Sequence, residues 1–149
     1  ISLRIPPGAD DGSRLKVAGR GKPGLRGGTP GDLYIEVHVR PHAHFRRDGL
    51  DLHLTLPVTL DEAYVGGPIE VPTPDGPVTL KIPPRSQSGQ KLRLRGKGVK
   101  RGSATDAPVG DLLVELQVKL PDKESEDLAK AFKSAREAYS KPVRQGVEL

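Results

Sequence analysis

The chain has 149 residues and contains no cysteine, which excludes disulfide bonds and cysteine-ligated zinc within it. Three tyrosines and two phenylalanines are its only Phe, Trp or Tyr residues, so its cores must be built from Val, Ile and Leu, which suit pleated sheets. No apolar run approaches the roughly 20 residues that cross a bilayer, so we expect a soluble, cytoplasmic protein without a membrane partner.

Alternation of apolar and polar residues predicts an all-β chain with short helices. Gly and Pro residues separate the alternating runs, as is typical of sandwiches and barrels. The predicted strands cover residues 2–5, 13–17, 31–39, 50–58, 67–74, 79–82, 90–95 and 110–118.

Two segments predict helices instead. Thr59 and Glu62 have the spacing of a capping box, so one or two helical turns should follow Thr59 and stop at the Gly66-Gly67 pair. Residues 124–139 predict an amphipathic helix whose acidic residues come first and basic residues later, as the helix dipole favours. Its apolar face consists of Leu128, Ala131, Phe132, Ala135 and Tyr139.

One phrase occurs twice: "LRIPPGADDGSRLKVAGRG" near the start resembles "LKIPPRSQSGQKLRLRGKG" from residue 80. A later Gly-Asp-Leu also recurs, at 31–33 and 110–112, with two extra residues in the second copy's spacing. Two copies are too few for a solenoid, so we interpret them as tandem β domains. The second copy has a strand and a capped helix before it and the first does not, so we expect the first domain to begin before residue 1.

No motif predicts catalysis, a metal or a cofactor. Residues 19–24 match G-x-G-x-x-G, but Pro23 removes an amide and no helix follows to bind a pyrophosphate. His42 and His44 lie near acidic residues, yet their spacing is not that of a closed metal site. No serine or threonine lies in a nucleophile elbow. We therefore predict a protein that is not an enzyme.

In combination, several motifs carry a resemblance. They are "PGDLYIEVHVRPHAHFRRDGLDL", "DEAYVGGPIEVPTPDGPVTLKIP", "QSGQKLRLRGKGV" and "GDLLVELQVKLP". The chain resembles the C-terminal substrate-binding region of DnaJ-type co-chaperones up to about residue 139. The resemblance implies two similar β-sandwich domains, the first truncated at its N-terminus, and a C-terminal helix that pairs two chains. It divides the chain at 1–45, 46–122 and 123–149.

The resemblance also implies a function. Members of this family capture non-native polypeptides and deliver them to a DnaK-type heat-shock chaperone. The pocket wall for a client peptide corresponds to Ile1, Leu3 and Ile35, and Val37 lies on the same side as Ile35 by alternation. Arg40 is the basic position matched to binding of the partner chaperone's acidic tail. Leu128, Phe132 and Tyr139 are the expected contacts of a homodimer.

The sequence departs from whole family members in lacking a J domain, a Gly/Phe linker and Cys-x-x-Cys zinc repeats. The alternative reading, from another functional class, is a basic β scaffold that binds RNA or acidic proteins. This interpretation rests on the net charge of +5 and on four basic residues, Lys91, Arg93, Arg95 and Lys97. Stacking aromatic side chains are missing beside these residues, so we expect nucleic acid not to be the main partner.

Overall fold

The computed structural model describes residues 2–149, and the chain divides after Lys119 into two compact units. Most of the regular structure is strand and both α-helices are short, which confirms the predicted all-β class. In chain order the elements are β1 (Arg14–Val17), β2 (Leu33–Glu36), β3 (Phe45–Asp48), β4 (Asp51–Thr59), α1 (Leu60–Val65), β5 (Gly67–Val71), β6 (Val78–Ile82), β7 (Lys91–Leu94), β8 (Leu112–Lys119) and α2 (Glu126–Ala135).

The first copy of the phrase forms an antiparallel ribbon of β1 and β2. Leu15 lies opposite Ile35, and Val17 lies opposite Leu33. Because side chains alternate along a strand, these four apolar residues share one side of the ribbon. The same residues are half-buried, while their neighbours along both strands are exposed.

The predicted strand at residues 2–5 is wrong. The segment has no regular secondary structure, and no backbone hydrogen bond is formed by it within residues 2–149. A strand exists only where a neighbour supplies ladder hydrogen bonds, and alternation alone does not provide that neighbour. The corresponding residues of the second copy do have one, because β6 pairs with β5.

The second copy belongs to a larger group of strands from Phe45 to Lys119, called the second β domain below, which lies within the first compact unit. Its four-stranded sheet has the order β3-β4-β8-β7, in which β4 and β8 run parallel and the other neighbours antiparallel. A separate hairpin joins β5 to β6. Strand β3 was not predicted, because the sequence "HAHFRRDGLD" has few apolar residues and was interpreted as a joint between domains.

The core of this domain is shared by the sheet, the hairpin and α1. Its residues alternate with less buried ones along β4, β6 and β8, so one face of each of these strands is buried. The buried apolar side chains are Leu54, Val58, Ala63, Val71, Leu80, Ile82, Leu112, Val114 and Leu116. All nine lie between residues 54 and 116, so the described part of the β1–β2 ribbon contributes none of them.

Helix α1 begins as the sequence predicts, and α2 begins two residues later than predicted. Thr59 accepts a hydrogen bond from the Glu62 amide at 3.3 Å, and the Glu62 carboxylate accepts one from the Thr59 amide at 2.9 Å, which confirms the capping box. Helix α2 begins after Ser125, whose hydroxyl accepts from the Leu128 amide at 3.2 Å. It ends at Ala135, and a 3-10 turn, Arg136–Ala138, follows, so the α-helix is shorter than predicted.

Candidate functional site

The apolar side of the β1–β2 ribbon is the candidate site, and it contains two of the residues expected to contact a client. Ile35 lies in β2 opposite Leu15 and is half-buried. Val37 follows the strand and extends its ladder. Its amide donates to the Ser13 carbonyl at 2.8 Å, and its carbonyl accepts from the Gly12 amide at 2.7 Å. Ile35 and Val37 therefore lie on the same side of one continuous extended segment.

The other two expected client contacts precede the ribbon. Leu3 lies in the segment without regular structure, and its side chain is 37% exposed. Ile5, in the same segment, is 55% exposed. Ile1 lies outside the described residues. The segment therefore presents apolar side chains to solvent immediately before Pro6 and Pro7.

The corresponding residues of the second copy have a different environment. Leu80, which matches Leu3, is 6% exposed, and Ile82, which matches Ile5, is 1% exposed. Val114, which matches Ile35, is fully buried in β8. Positions that form a core in the second copy are thus accessible in the first copy, within the part of the chain that the structure describes.

The Gly-rich phrase does not form a phosphate loop. The Gly19 amide donates to a carboxylate oxygen of Asp32 at 3.1 Å, and the Gly21 amide donates to the Gly31 carbonyl at 2.7 Å. Two of the amides that would have to face a phosphate are therefore used within the chain. A carboxylate at this position would also repel an anion.

The histidines near the joint have a structural contact. The Nδ1 atom of His42 accepts hydrogen bonds from the amides of His44 and Phe45, at 3.1 and 3.3 Å. Its ring meets the Phe45 ring edge-on, with centroids 5.1 Å apart. Within residues 2–149, no group of three or more His, Cys, Asp or Glu side chains is arranged to hold a metal ion.

Three basic residues of the alternative interpretation, Lys91, Arg93 and Arg95, are exposed at alternate positions along β7 and the residue after it, so they share one side of the strand. Arg93 forms an ion pair with Asp111 at 2.8 Å, and Lys97 is half-buried. Lys91 lies in β7 opposite Glu115 of β8. Arg40, the residue matched to a partner's acidic tail, is exposed three residues beyond Val37.

The C-terminal unit presents an apolar stripe. Leu128 and Phe132 are one helical turn apart in α2, and Phe132 is 45% exposed. Tyr139 lies just after the 3-10 turn and is also exposed. In the described residues, neither this helix nor α1 is long and apolar enough to cross a membrane.

Comparison with known proteins agrees with the motifs. The family model described as "DnaJ C terminal domain" matches residues 1–121. The chain belongs to the DnaJ C-terminal domain family. A relative named Chaperone protein DnaJ, from Cupriavidus taiwanensis, is 44% identical over 146 residues, which cover 98% of this chain and 37% of the relative. The chain therefore spans little more than a third of that relative's length.

Family membership confirms two predictions from the sequence. The resemblance to DnaJ-type co-chaperones is correct, since the DnaJ C-terminal domain model and the relative named Chaperone protein DnaJ both match this chain. The prediction that the chain is not an enzyme is also confirmed, because this is a chaperone family.

One feature of the joint was missed by sequence reasoning. Arg47, in β3, contacts the turn that precedes β1 through its guanidinium group. The only sequence signal is the Arg-Asp-Gly run at 47–49, which belongs to the motifs of the family resemblance but does not indicate a role for Arg47.

Proposed function

We propose that this chain captures non-native polypeptides by adding them as a strand to the β1–β2 ribbon and by binding their apolar side chains on its half-buried side. The captured polypeptides are then delivered to a DnaK-type chaperone in the cytoplasm. The observation that carries this proposal is the exposure of Leu3 and Ile5, whose counterparts Leu80 and Ile82 are core residues. The first copy thus presents accessible apolar side chains at positions that are buried in the second copy.

The ribbon offers the backbone groups that strand addition needs. In the described chain β1 and β2 pair only with each other, so each has an edge whose amides and carbonyls are open. An extended peptide can satisfy those groups with any sequence, while the apolar side selects Val, Ile and Leu at alternate positions. That combination suits a binder of many unfolded chains.

Two further parts of the proposal concern partners. Arg40 is exposed close to the ribbon and would attract the acidic tail of the partner chaperone. The stripe of Leu128, Phe132 and Tyr139 on the C-terminal unit would pair two chains into a homodimer. Interfaces between two helices are usually formed by exposed apolar residues at helical spacing.

The test of the client site is Ile35→Asp in the full-length protein. A charge on the apolar side should abolish suppression of aggregation of a thermally unfolded client protein, because the carboxylate would be desolvated when an apolar side chain binds. Tyr34→Asp is the matched control, since Tyr34 is adjacent on the exposed side of the same strand.

Circular dichroism and exchange of the Val37 amide would establish that both variants keep the ribbon. Full activity in a folded Ile35→Asp variant would contradict the client site. Steep, salt-dependent binding of single-stranded RNA by the wild type, without any client binding, would instead favour the basic scaffold.

A further inference from the structure

Arg47 connects the second β domain to the first copy of the phrase. Its Nε–H donates to the Gly49 carbonyl at 2.7 Å, which fixes the side chain at the β3–β4 turn. Its Nη1 donates to the Ala9 carbonyl at 2.9 Å, and its Nη2 donates to the Gly8 carbonyl at 2.8 Å. The same Nη2 lies 2.8 Å from a carboxylate oxygen of Asp10.

These contacts require an arginine. A guanidinium has five N–H donors in a rigid plane, so one group can serve its own turn, two carbonyls and a carboxylate together. A lysine ammonium could keep the ion pair but lacks the fixed fork for the rest. The Arg47 side chain is 23% exposed, so these bonds are partly shielded from water.

The turn at residues 7–10 is held from a second direction by the loop that follows β7. The Gly102 amide donates to the Pro7 carbonyl at 3.0 Å, and Arg101 lies 3.3 Å from Asp10. Gly8 has a φ of +80°, and a Cβ atom there would lie 2.6 Å from the Lys100 carbonyl oxygen. Only glycine permits this close approach of the two backbones.

This turn lies directly between two parts of the proposed client site. Leu3 and Ile5 precede it, and β1, which pairs with the Ile35 strand, follows it. The segment with Leu3 and Ile5 has no ladder of its own within the described residues. Its position relative to the ribbon therefore depends on how the turn is fixed.

We propose that Arg47 is a positioning residue for client binding: by fixing the turn at residues 7–10, it lets the second β domain set the position of the segment with Leu3 and Ile5 relative to the ribbon. The inference rests on the proposed function, since it concerns the same client site. It gives the second domain a part in capture although Arg47 itself need not touch the client.

The test compares Arg47→Gln with Arg46→Gln in the full-length protein. Arg46 precedes Arg47 in β3, points to the other side of the strand and is exposed, so it is the matched control. Two quantities are measured: exchange of the Gly102 amide, which reports on the turn, and the Kd for reduced, carboxymethylated α-lactalbumin, a permanently unfolded client.

Arg47→Gln should speed exchange of the Gly102 amide by about tenfold, because the turn opens locally while the domain stays folded. If the correct arrangement is then populated about one fifth of the time, the apparent Kd for the client rises about fivefold. Arg46→Gln should change neither quantity. Arg47→Lys should restore part of the affinity, because it keeps the ion pair with Asp10.

Each other outcome has a defined meaning. If the Gly102 amide exchanges no faster in Arg47→Gln than in wild type, Arg47 does not fix the turn. If its exchange is faster but the Kd for the client is unchanged, Arg47 has no positioning role. If Arg47→Gln does not fold, Arg47→Lys and Asp10→Asn decide by the same two measurements. If wild type binds no client, the proposed function fails and the positioning role fails with it. The exchange of the Gly102 amide then still shows whether Arg47 fixes the turn at residues 7–10.

Discussion

Asp32 and Asp111 make the same two contacts in the two copies of the repeated phrase. Asp32 accepts a hydrogen bond from the Gly19 amide at 3.1 Å and lies 3.2 Å from the Lys16 ammonium. Asp111 accepts one from the Gly96 amide at 3.0 Å and pairs with Arg93 at 2.8 Å. The Gly-Asp pair in each copy is therefore a clamp that closes the hairpin behind the Gly-rich turn.

We predict that removing the clamp costs more in the second copy than in the first. The Asp111 side chain is 23% exposed and that of Asp32 is 35% exposed, so the bonds of Asp111 are less screened by water. Asp111→Ala should lower the free energy of unfolding by about 1–3 kcal/mol, and Asp32→Ala by about 1 kcal/mol or less.

Urea unfolding followed by circular dichroism measures both changes. Asp111→Asn is the control, since it keeps a side-chain oxygen to accept from Gly96 and loses only the ion pair. An Asp111→Ala variant as stable as wild type would show that the clamp contributes nothing to stability.

The repeat was readable from the sequence because its contacts are local and use residue types with few substitutes. Gly12 and Gly89 each donate to a carbonyl of the partner strand at 2.7 Å, 77 residues apart in sequence. Alternation likewise placed Ile35, Ile82 and Val114 correctly on the apolar sides of their strands. Such features follow from periodicity and from the turn chemistry of glycine.

The remaining features depend on tertiary contacts that a local sequence pattern does not identify. Residues 2–5 and 79–82 have the same alternation, yet among residues 2–149 only the second segment has a strand beside it. Strand β3 was missed because Arg46, Arg47 and Asp48 are polar, and its pairing with β4 is what makes it a strand. The bonds from Arg47 reach backbone carbonyls 38 and 39 residues away, and a carbonyl has no sequence signature.

A second prediction uses the difference between the two copies. Ile82 is fully buried among the core residues, so Ile82→Ala should lower the free energy of unfolding by about 2–5 kcal/mol through lost burial and a cavity. Ile5→Ala, at the matching position of the first copy, should change it by about 0.5 kcal/mol or less. Thermal unfolding of the two variants tests the contrast, and equal losses would contradict the burial difference on which the client site rests.

The third prediction concerns the start of α1. Thr59→Ala removes one half of the capping box and should cost about 1 kcal/mol of stability. Thr59→Ser keeps the hydroxyl and should lose little, so the pair separates the hydrogen bond from the methyl group. Urea unfolding at neutral pH is the measurement, and equal destabilisation by Ser and Ala would show that the hydroxyl is not what matters.

The last prediction concerns the apolar stripe of α2. Phe132→Asp should convert a dimer into a monomer, because it places a charge where a second chain would bury an aromatic ring. Light scattering coupled to size-exclusion chromatography gives the mass directly. Ser134→Asp adds the same charge on the opposite side of the helix and should leave the dimer intact. A monomeric wild type would contradict the proposed dimer, and a dimeric Phe132→Asp variant would move the interface away from this stripe.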